Sequence, residues 1–358
     1  MIQLSSIPVE NKTRSIKNAQ NMDEWKTLLS QSKMSTQSLL EAVRLDEHPQ
    51  ACSKAEKLFE LRVPKPYLDK IEKGNINDPL LLQVLPQKSE HKTVSGFISD
   101  PLNEDQYSPV KGLIHKYKSR VLLISSSTCA INCRYCFRRT FPYSDHKQSK
   151  NDWQGALNYI RNNLQINEVI LSGGDPLTHN NDYLFWLLTE IDKIDHIKRL
   201  RIHSRLLTAL PQRIDSNFLN RLEKIKSKLV FVTHCNHPNE IDAVVESKLE
   251  ALKNKGVILL NQSVLLKSVN DNAETLSRLS EALFEAGVQP YYLFIFDPVN
   301  GAAHFNISIQ SAREIYQALL TLLPGYLVPK LSVEIPGQTS KTPIGLTNME
   351  VVNDHIHL

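Results

Sequence analysis

The stretch Thr128-Cys-Ala-Ile-Asn-Cys-Arg-Tyr-Cys-Phe-Arg-Arg139 places three of the chain's five cysteines within eight residues, spaced C-x3-C-x2-C as Cys129, Cys133 and Cys136. It follows a β-branched run, Arg120-VLLISSS, so the thiols fall at the C-terminal end of a predicted strand. A structural zinc site closes with four protein ligands, and the other cysteines, Cys52 and Cys235, are remote in sequence. Three thiolates suit a [4Fe-4S] cubane, which then keeps one iron open for an exogenous ligand. A zinc loop completed by a distant Cys or His is the competing reading.

Downstream of this loop, short apolar runs alternate with amphipathic stretches at the spacing of βα units. After Arg120-VLLISSS the predicted strands are Glu168-VILSGGD, Lys198-RLRIHSR, Lys228-LVFVTHC, Val257-ILLNQSVLL and Pro290-YYLFIFD. Helices are predicted at Tyr183-LFWLLTEIDKI, Ala243-VVESKLEALKNKG and Thr275-LSRLSEALFEAG, the last two ending at Gly256 and Gly287. Six such repeats predict an α/β fold with a curved parallel sheet, either doubly wound or an incomplete barrel, and in both the chemistry gathers at the C-terminal strand ends. Residues 1–100 differ, with short helical pieces punctuated by Pro64, Pro66, Pro79 and Pro86, and form an N-terminal helical accessory region. Residues 101–325 hold the βα repeats. Residues 326–358 read as a strand, Tyr326-LVPKLSVEI, followed by a turn-rich loop carrying Lys341.

Composition narrows the partners. With 42 Lys+Arg against 38 Asp+Glu the net charge is +4, and no long single-sign run offers a stripe for nucleic acid. No stretch approaches the roughly 18 uninterrupted apolar residues of a membrane span, and MIQLSSIPVENKTRS lacks a basic-then-apolar leader pattern, so a cytoplasmic protein is expected. In a reducing compartment clustered thiols act as ligands rather than bridges.

The cysteine spacing, together with Ser172-GGDPL one βα unit later, resembles the radical S-adenosylmethionine superfamily. A narrower resemblance runs from about Gly112 to Pro343 and is to the lysine 2,3-aminomutases. It is carried by HKYKSR, CRYCFRR, LSGGDPLT, HSR, LPQRI, THCNHPNEI, NQSVLLKSVND, PYYLFIFD, GAAHF and GQTSKTP. The resemblance implies a partial (β/α)6 barrel of the TIM type with a C-terminal segment that presents a pyridoxal phosphate lysine. It implies that Cys129, Cys133 and Cys136 bind the cluster. S-adenosylmethionine would lie against Gly173, Gly174, Asp175, His234, Asn236, His237 and Gln262. Lys341 sits where the family holds pyridoxal phosphate as a Schiff base, and Lys116 where it has an arginine near the cofactor phosphate. Arg138 matches the arginine that meets the substrate carboxylate. Asp297 and Glu334 match two aspartates around the substrate's distal ammonium, so Lys116 and Glu334 are both departures from the family pattern.

The implied activity is that of an isomerase, an intramolecular aminotransferase turning (S)-α-lysine into (R)-β-lysine with the help of a reducing electron donor. Only 17 residues follow Lys341 and none is cysteine. That form, with HFN after GAA and the SKTP version of the lysine motif, resembles the branch supplying β-lysine to a ligase that modifies elongation factor P. The alternatives are a free-lysine aminomutase of lysine degradation, a pyridoxal enzyme without radical chemistry, and an iron-sulfur or zinc binding module.

Overall fold

Nine strands form one sheet whose spatial order is the order of the chain. They are β1 (Leu113–Tyr117), β2 (Arg120–Ser126), β3 (Glu168–Gly173), β4 (Arg199–Ser204), β5 (Lys228–Thr233), β6 (Ile258–Val264), β7 (Gln289–Phe294), β8 (Lys330–Val333) and β9 (Thr342–Pro343). The computed structural model describes residues 24–142 and 148–345, with the backbone of a separate antiparallel pair at 350–352 and 355–357. Strands β2 to β8 run parallel, while β1 and β9 are antiparallel caps on the two edges.

The parallel count is therefore seven rather than six. Strand β8, which the boundary at residue 325 assigns to a separate segment, pairs with β7 through Phe294 and Ser332. Its four residues lie between Pro329 and Pro336, and a strand so short and so flanked carries little periodic signal.

Burial along the strands sorts side chains between the helix layer and the barrel interior. All six residues of β3 are buried, as expected for a strand covered on both faces. In β4 burial alternates: Leu200 and Ile202 join the core under the helices, which leaves Arg201 and His203 on the other face. The same period sends Leu259 of β6 to the helix layer and Gln262 to the inner face. That helix layer is anchored by Trp153, Leu157 and Ile160 from helix Trp153–Asn162 and by Leu187, Leu188 and Ile191 from helix Asn181–Asp192.

The edges β1 and β9 do not pair with each other. Side chains cross the gap instead, because Glu334, just after β8, meets Lys116 and Tyr117 of β1. The sheet thus curls far enough for its two ends to touch through charge and a phenol, without a ladder of backbone hydrogen bonds.

The N-terminal region has a core of its own, built from Leu39, Val43, Leu61, Tyr67, Leu80 and Leu85. Ile131, inside the cysteine loop, is buried in that same cluster. Backbone bonds reinforce the docking: Asn132 N donates to Arg62 O at 3.0 Å and Arg134 N to Gln83 O at 2.9 Å. The accessory region is consequently the outer wall that shapes the cysteine loop.

Candidate active site

The loop from Cys129 to Arg139 leaves β2 and is held from three sides. Glu90, fully buried, receives Arg134 Nε at 3.0 Å and Arg139 Nη2 at 2.5 Å, so one carboxylate balances two buried cations. Arg134 also donates to Phe59 O at 2.6 Å. On the barrel side, Arg205 Nη1 donates to Cys133 Sγ at 3.0 Å. Its Nη2 reaches Gln83 Oε1 at 2.9 Å, Tyr67 Oη at 3.2 Å and Glu240 Oε2 at 3.3 Å.

Burial pushes the Cys129 thiol well above its usual range, and Asp175, Cys136 and Cys133 push it further. Burial likewise raises Cys136 to about 11, with Cys133 adding to it. Thiols that disfavour one another's ionisation share one pocket, and a metal group binding there must displace their protons. Among the described residues no group of three His, Cys, Asp or Glu side chains is close enough to hold a single metal ion. A cubane asks for something else, one thiolate on each of three irons. The cysteine loop and the positive charge beside it fit such a cluster.

The glycine turn after β3 packs directly under this loop. A Cβ on Gly174 would lie 2.4 Å from Thr128 O and 2.7 Å from Thr128 N, and one on Gly173, whose φ is +116°, would lie 2.5 Å from Ser126 O. Both glycines are therefore required by the close approach of β2 and β3 ends, in addition to any ligand above them. Asp175 next to them is buried and committed: it accepts from Leu177 N at 3.0 Å, Ser204 Oγ at 2.8 Å, Arg205 N at 2.8 Å and Leu206 N at 3.2 Å. Burial still lifts its carboxyl to about 6. This residue ties the β3 and β4 ends together.

Of the other residues expected around S-adenosylmethionine, Asn236 donates to Tyr135 Oη at 2.6 Å and Gln83 Oε1 at 3.1 Å and accepts from Val264 N at 2.8 Å. His237 accepts from Asn239 N at 3.2 Å through Nδ1 and caps the turn that follows. Both brace the loop after β5. His234 is different, since its buried Nε2 has no partner, and burial with the cations Arg205, Arg138 and Lys341 nearby drives its pKa down to about 3. His203, edge-on to it at 5.5 Å, has an equally unpartnered Nε2 and is also held neutral. Two orphaned imidazole nitrogens at the ends of β4 and β5 fit a polar ligand lying across the barrel mouth.

At the opposite edge Glu334 gathers three donors. Lys341 Nζ lies 2.7 Å from Oε2, Lys116 Nζ 2.8 Å from Oε1, and Tyr117 Oη 3.0 Å from Oε1. Burial raises the Glu334 pKa, but Lys341 and Lys116 outweigh it and hold the carboxyl at about 2. Lys341 Nζ also sits over the Phe294 ring at 4.3 Å and the Tyr292 ring at 5.7 Å, two stacked aromatics of β7. An amine between a carboxylate and an aromatic wall fits a lysine that forms and releases a bond to a flat aldehyde cofactor.

Asp297 stands nearby after β7. Burial, with Glu334 adding, lifts its pKa to about 7. Arg138 closes the remaining side: Nε and Nη2 donate to the two oxygens of Glu104 at 2.7 and 2.6 Å, and Nη1 to Ser172 Oγ at 3.3 Å. Glu104 opens a short turn of helix, Glu104–Tyr107, whose Tyr107 ring lies 5.7 Å from Lys116 Nζ. Beside it opens a cavity of about 180 Å³ lined by Asp100, Glu104, Phe137, Arg138 and Phe141.

Glu104, Glu90, Arg205 and His203 are site residues that the sequence reading assigned no role. HSR marks the last two as part of a string, and nothing in the sequence pairs either glutamate with its arginine.

Residues 123–279 match the radical SAM superfamily. The chain is 48% identical to the L-lysine 2,3-aminomutase of Escherichia coli (strain K12) over 331 residues, 92% of this chain and 96% of that protein. It is also 48% identical to the L-lysine 2,3-aminomutase of Haemophilus influenzae (strain ATCC 51907 / DSM 11121 / KW20 / Rd), across 89% of this chain and 94% of that one. The chain belongs to the lysine 2,3-aminomutase family. With the enzyme of that name from Clostridium subterminale it shares 36% identity over 86% of this chain and 74% of the relative. Membership makes the chain an isomerase of the radical SAM class and accounts for two chemistries, cluster and lysine, meeting in one barrel mouth. Among the described residues no helix is long and apolar enough to cross a membrane.

Proposed function

We propose that this chain converts (S)-α-lysine to (R)-β-lysine in the cytoplasm, and that the product serves the modification of elongation factor P by a separate ligase. The observation that carries the reading is the pair of settings at the strand ends: the cysteine loop after β2 with Arg205 on Cys133 Sγ, and Lys341 between Glu334 and the Phe294 ring. When bound, the [4Fe-4S] cluster with S-adenosylmethionine would supply a hydrogen-abstracting radical, and pyridoxal phosphate would carry the migrating amino group.

The chain's own residues then bind, orient and exclude. Cys129, Cys133 and Cys136 hold the cluster, with the Arg205 guanidinium against one sulfur. Gly173, Gly174, His234 and Gln262 border S-adenosylmethionine, while Asp175, Asn236 and His237 keep those borders in place. Arg138 takes the substrate carboxylate, a task its planar fork suits, in exchange for the Glu104 carboxylate that its Nε and Nη2 engage in the structure. Asp297 takes the distal ammonium. Lys341 anchors the pyridoxal group, Lys116 lies where its phosphate would be met, and Tyr292 and Phe294 form a wall that keeps water away.

Support for the elongation factor branch is HFN after GAA and the SKTP form of the lysine motif. The test is anaerobic incubation of reconstituted protein with lysine, S-adenosylmethionine and a reductant, followed by chiral analysis. (R)-β-lysine is expected, and a protein loaded with both cofactors that forms none would refute the activity. The mass of elongation factor P from cells lacking this chain tests the branch: the β-lysyl increment should vanish.

A further inference from the structure

The family pattern gives Glu334 the same task as Asp297, yet the two carboxylates have different surroundings. Glu334, 15% exposed, already receives Lys341, Lys116 and Tyr117, three donors on a group with about four acceptor sites. Among the described residues Asp297 makes no ion pair, although Lys341 and Lys116 lie within electrostatic reach of it. A third ammonium brought onto Glu334 would have to share oxygens that two lysines already contact. Brought to Asp297, it meets a buried acid that no ammonium contacts directly.

Building on the reading of Lys341 as the pyridoxal lysine, we infer that Glu334 is a positioning residue for Lys341: it receives the Lys341 ammonium whenever the substrate's amine replaces that lysine on the cofactor's aldehyde carbon. The exchange balances without any oxidant or reductant. The bond from the aldehyde carbon to Lys341 nitrogen breaks, the bond from that carbon to substrate nitrogen forms, and the two protons shed by the incoming ammonium end on Lys341. The lysine therefore leaves as a full cation in a buried place, where a cation without a partner is expensive. Lys341 Nζ lies 2.7 Å from Glu334 Oε2 and 4.3 Å above the Phe294 ring, so the carboxylate is within reach of the departing amine.

The side-chain length fits this task. An aspartate would fall short by one carbon–carbon bond, about 1.5 Å, and could not keep both the 2.7 Å contact to Lys341 and the 2.8 Å contact to Lys116 without moving its backbone. Lys116, standing in place of a family arginine, is the second half of the arrangement: a compact ammonium in reach of one oxygen, leaving the other for Lys341. The tail of the substrate is then read by Asp297 alone.

The experiment uses the pyridoxal-loaded protein without S-adenosylmethionine or reductant, so that no radical chemistry intervenes. L-lysine, or L-norleucine with the same chain but no distal ammonium, is added; borohydride then traps the cofactor, and mass spectrometry reads how much label sits on Lys341 and how much on the amino acid. Glu334→Gln should lower transfer at equilibrium at least about tenfold with both amino acids, the effect of a buried ammonium losing its partner, whereas Asp297→Asn should lower it for lysine and spare norleucine. Loss with lysine but not norleucine in Glu334→Gln would return Glu334 to the substrate tail, and no change with either would remove it from the exchange; both outcomes overturn the inference. Should Glu334→Gln not fold, Glu334→Asp is expected to fold and to show a smaller loss, again with both amino acids. If the unsubstituted protein carries no label on Lys341 at all, the cofactor reading itself falls, and the inference with it.

Discussion

At the cysteine end of the barrel mouth the loop is held by its immediate neighbours in space, the N-terminal wall and the ends of β2 to β4, whereas at the lysine end the contacts join the two extremes of the sheet. Asp175 stitches β3 to the end of β4 through three hydrogen-bond donors, Ser204 Oγ, Arg205 N and Leu206 N, and Gly173 and Gly174 leave no room for a methyl group against the end of β2. Lys116 and Glu334, by contrast, are 218 residues apart and form the bridge between edges that share no backbone ladder. The first region is a seat braced by close packing and by hydrogen bonds among its own backbone and side chains. The second is a set of charges that can be re-paired, which is what an amine that must form, break and re-form a bond requires.

If that division is right, damage at one end should leave the chemistry of the other end measurable. The largest effect is expected from Cys133→Ala, which removes a thiolate that no other described side chain can replace. Reductive cleavage of S-adenosylmethionine should be abolished, and pyridoxal uptake on Lys341 should persist. Cleavage at the unsubstituted rate, measured as 5′-deoxyadenosine formed under reductant, would break the comparison at its first term. Lys341→Ala is the mirror experiment and should lose the visible absorption of the bound cofactor and nearly all mutase activity while the iron-sulfur spectrum survives. Borohydride labelling of a different lysine would show that the second region has been misplaced.

These two ends also differ in how far they could be read from sequence. The cysteine motif, the glycine turn and the strands around them are local patterns, so the run Arg120-VLLISSS followed by C-x3-C-x2-C announces both a strand and its chemistry. Strand β8 was visible as a strand but not as part of the barrel, because four residues between prolines carry no information about their partner. The bridge from Glu104 to Arg138 and the shared acceptor Glu90 of Arg134 and Arg139 were illegible for a related reason. Charged residues are common, and nothing in a linear pattern says which acid a buried arginine will meet. Asp175 and Asn236 mark the reverse case. Their strings suggested ligand contacts, and the structure adds a bracing role, since their hydrogen-bonding groups are engaged by neighbouring strands.

A smaller effect, confined to the lysine end, is expected of Asp297. Burial raises its acid above the ordinary carboxyl value to about 7, so ionisation is the costly state and a bound ammonium favours it. Lysine binding should then weaken as pH falls through 7, where the free enzyme protonates Asp297, and strengthen above it. Asp297→Asn should raise the lysine requirement by orders of magnitude, since truncating one partner of a desolvated ion pair costs roughly 2–5 kcal/mol. It should also flatten the pH dependence. Calorimetry on either side of pH 7 checks both, because the unsubstituted protein should release a proton on binding lysine below that value; an unchanged requirement in the variant would move the ammonium elsewhere.

The smallest effect on turnover is expected where the seat touches the cluster. Arg205 donates to Cys133 Sγ at 3.0 Å and is itself held by Gln83, Tyr67 and Glu240, so its charge is kept against one sulfur by buried groups outside the lysine end. A positive hydrogen-bond donor at a ligating sulfur stabilises the added electron, and hydrogen bonds to the sulfurs are among the determinants of cluster potential. Arg205→Lys keeps the charge but loses the fork that spans four partners. The cluster should therefore assemble, titrate at a more negative potential, and cleave S-adenosylmethionine several-fold more slowly at a fixed reductant strength, with pyridoxal binding and the lysine requirement unaltered. A redox titration followed by electron paramagnetic resonance reads the potential directly. An unchanged potential with slower cleavage would make Arg205 a brace for the loop alone. A changed lysine requirement would mean that the two ends of the mouth are coupled after all, and that the braced seat and the re-pairing charges are one unit.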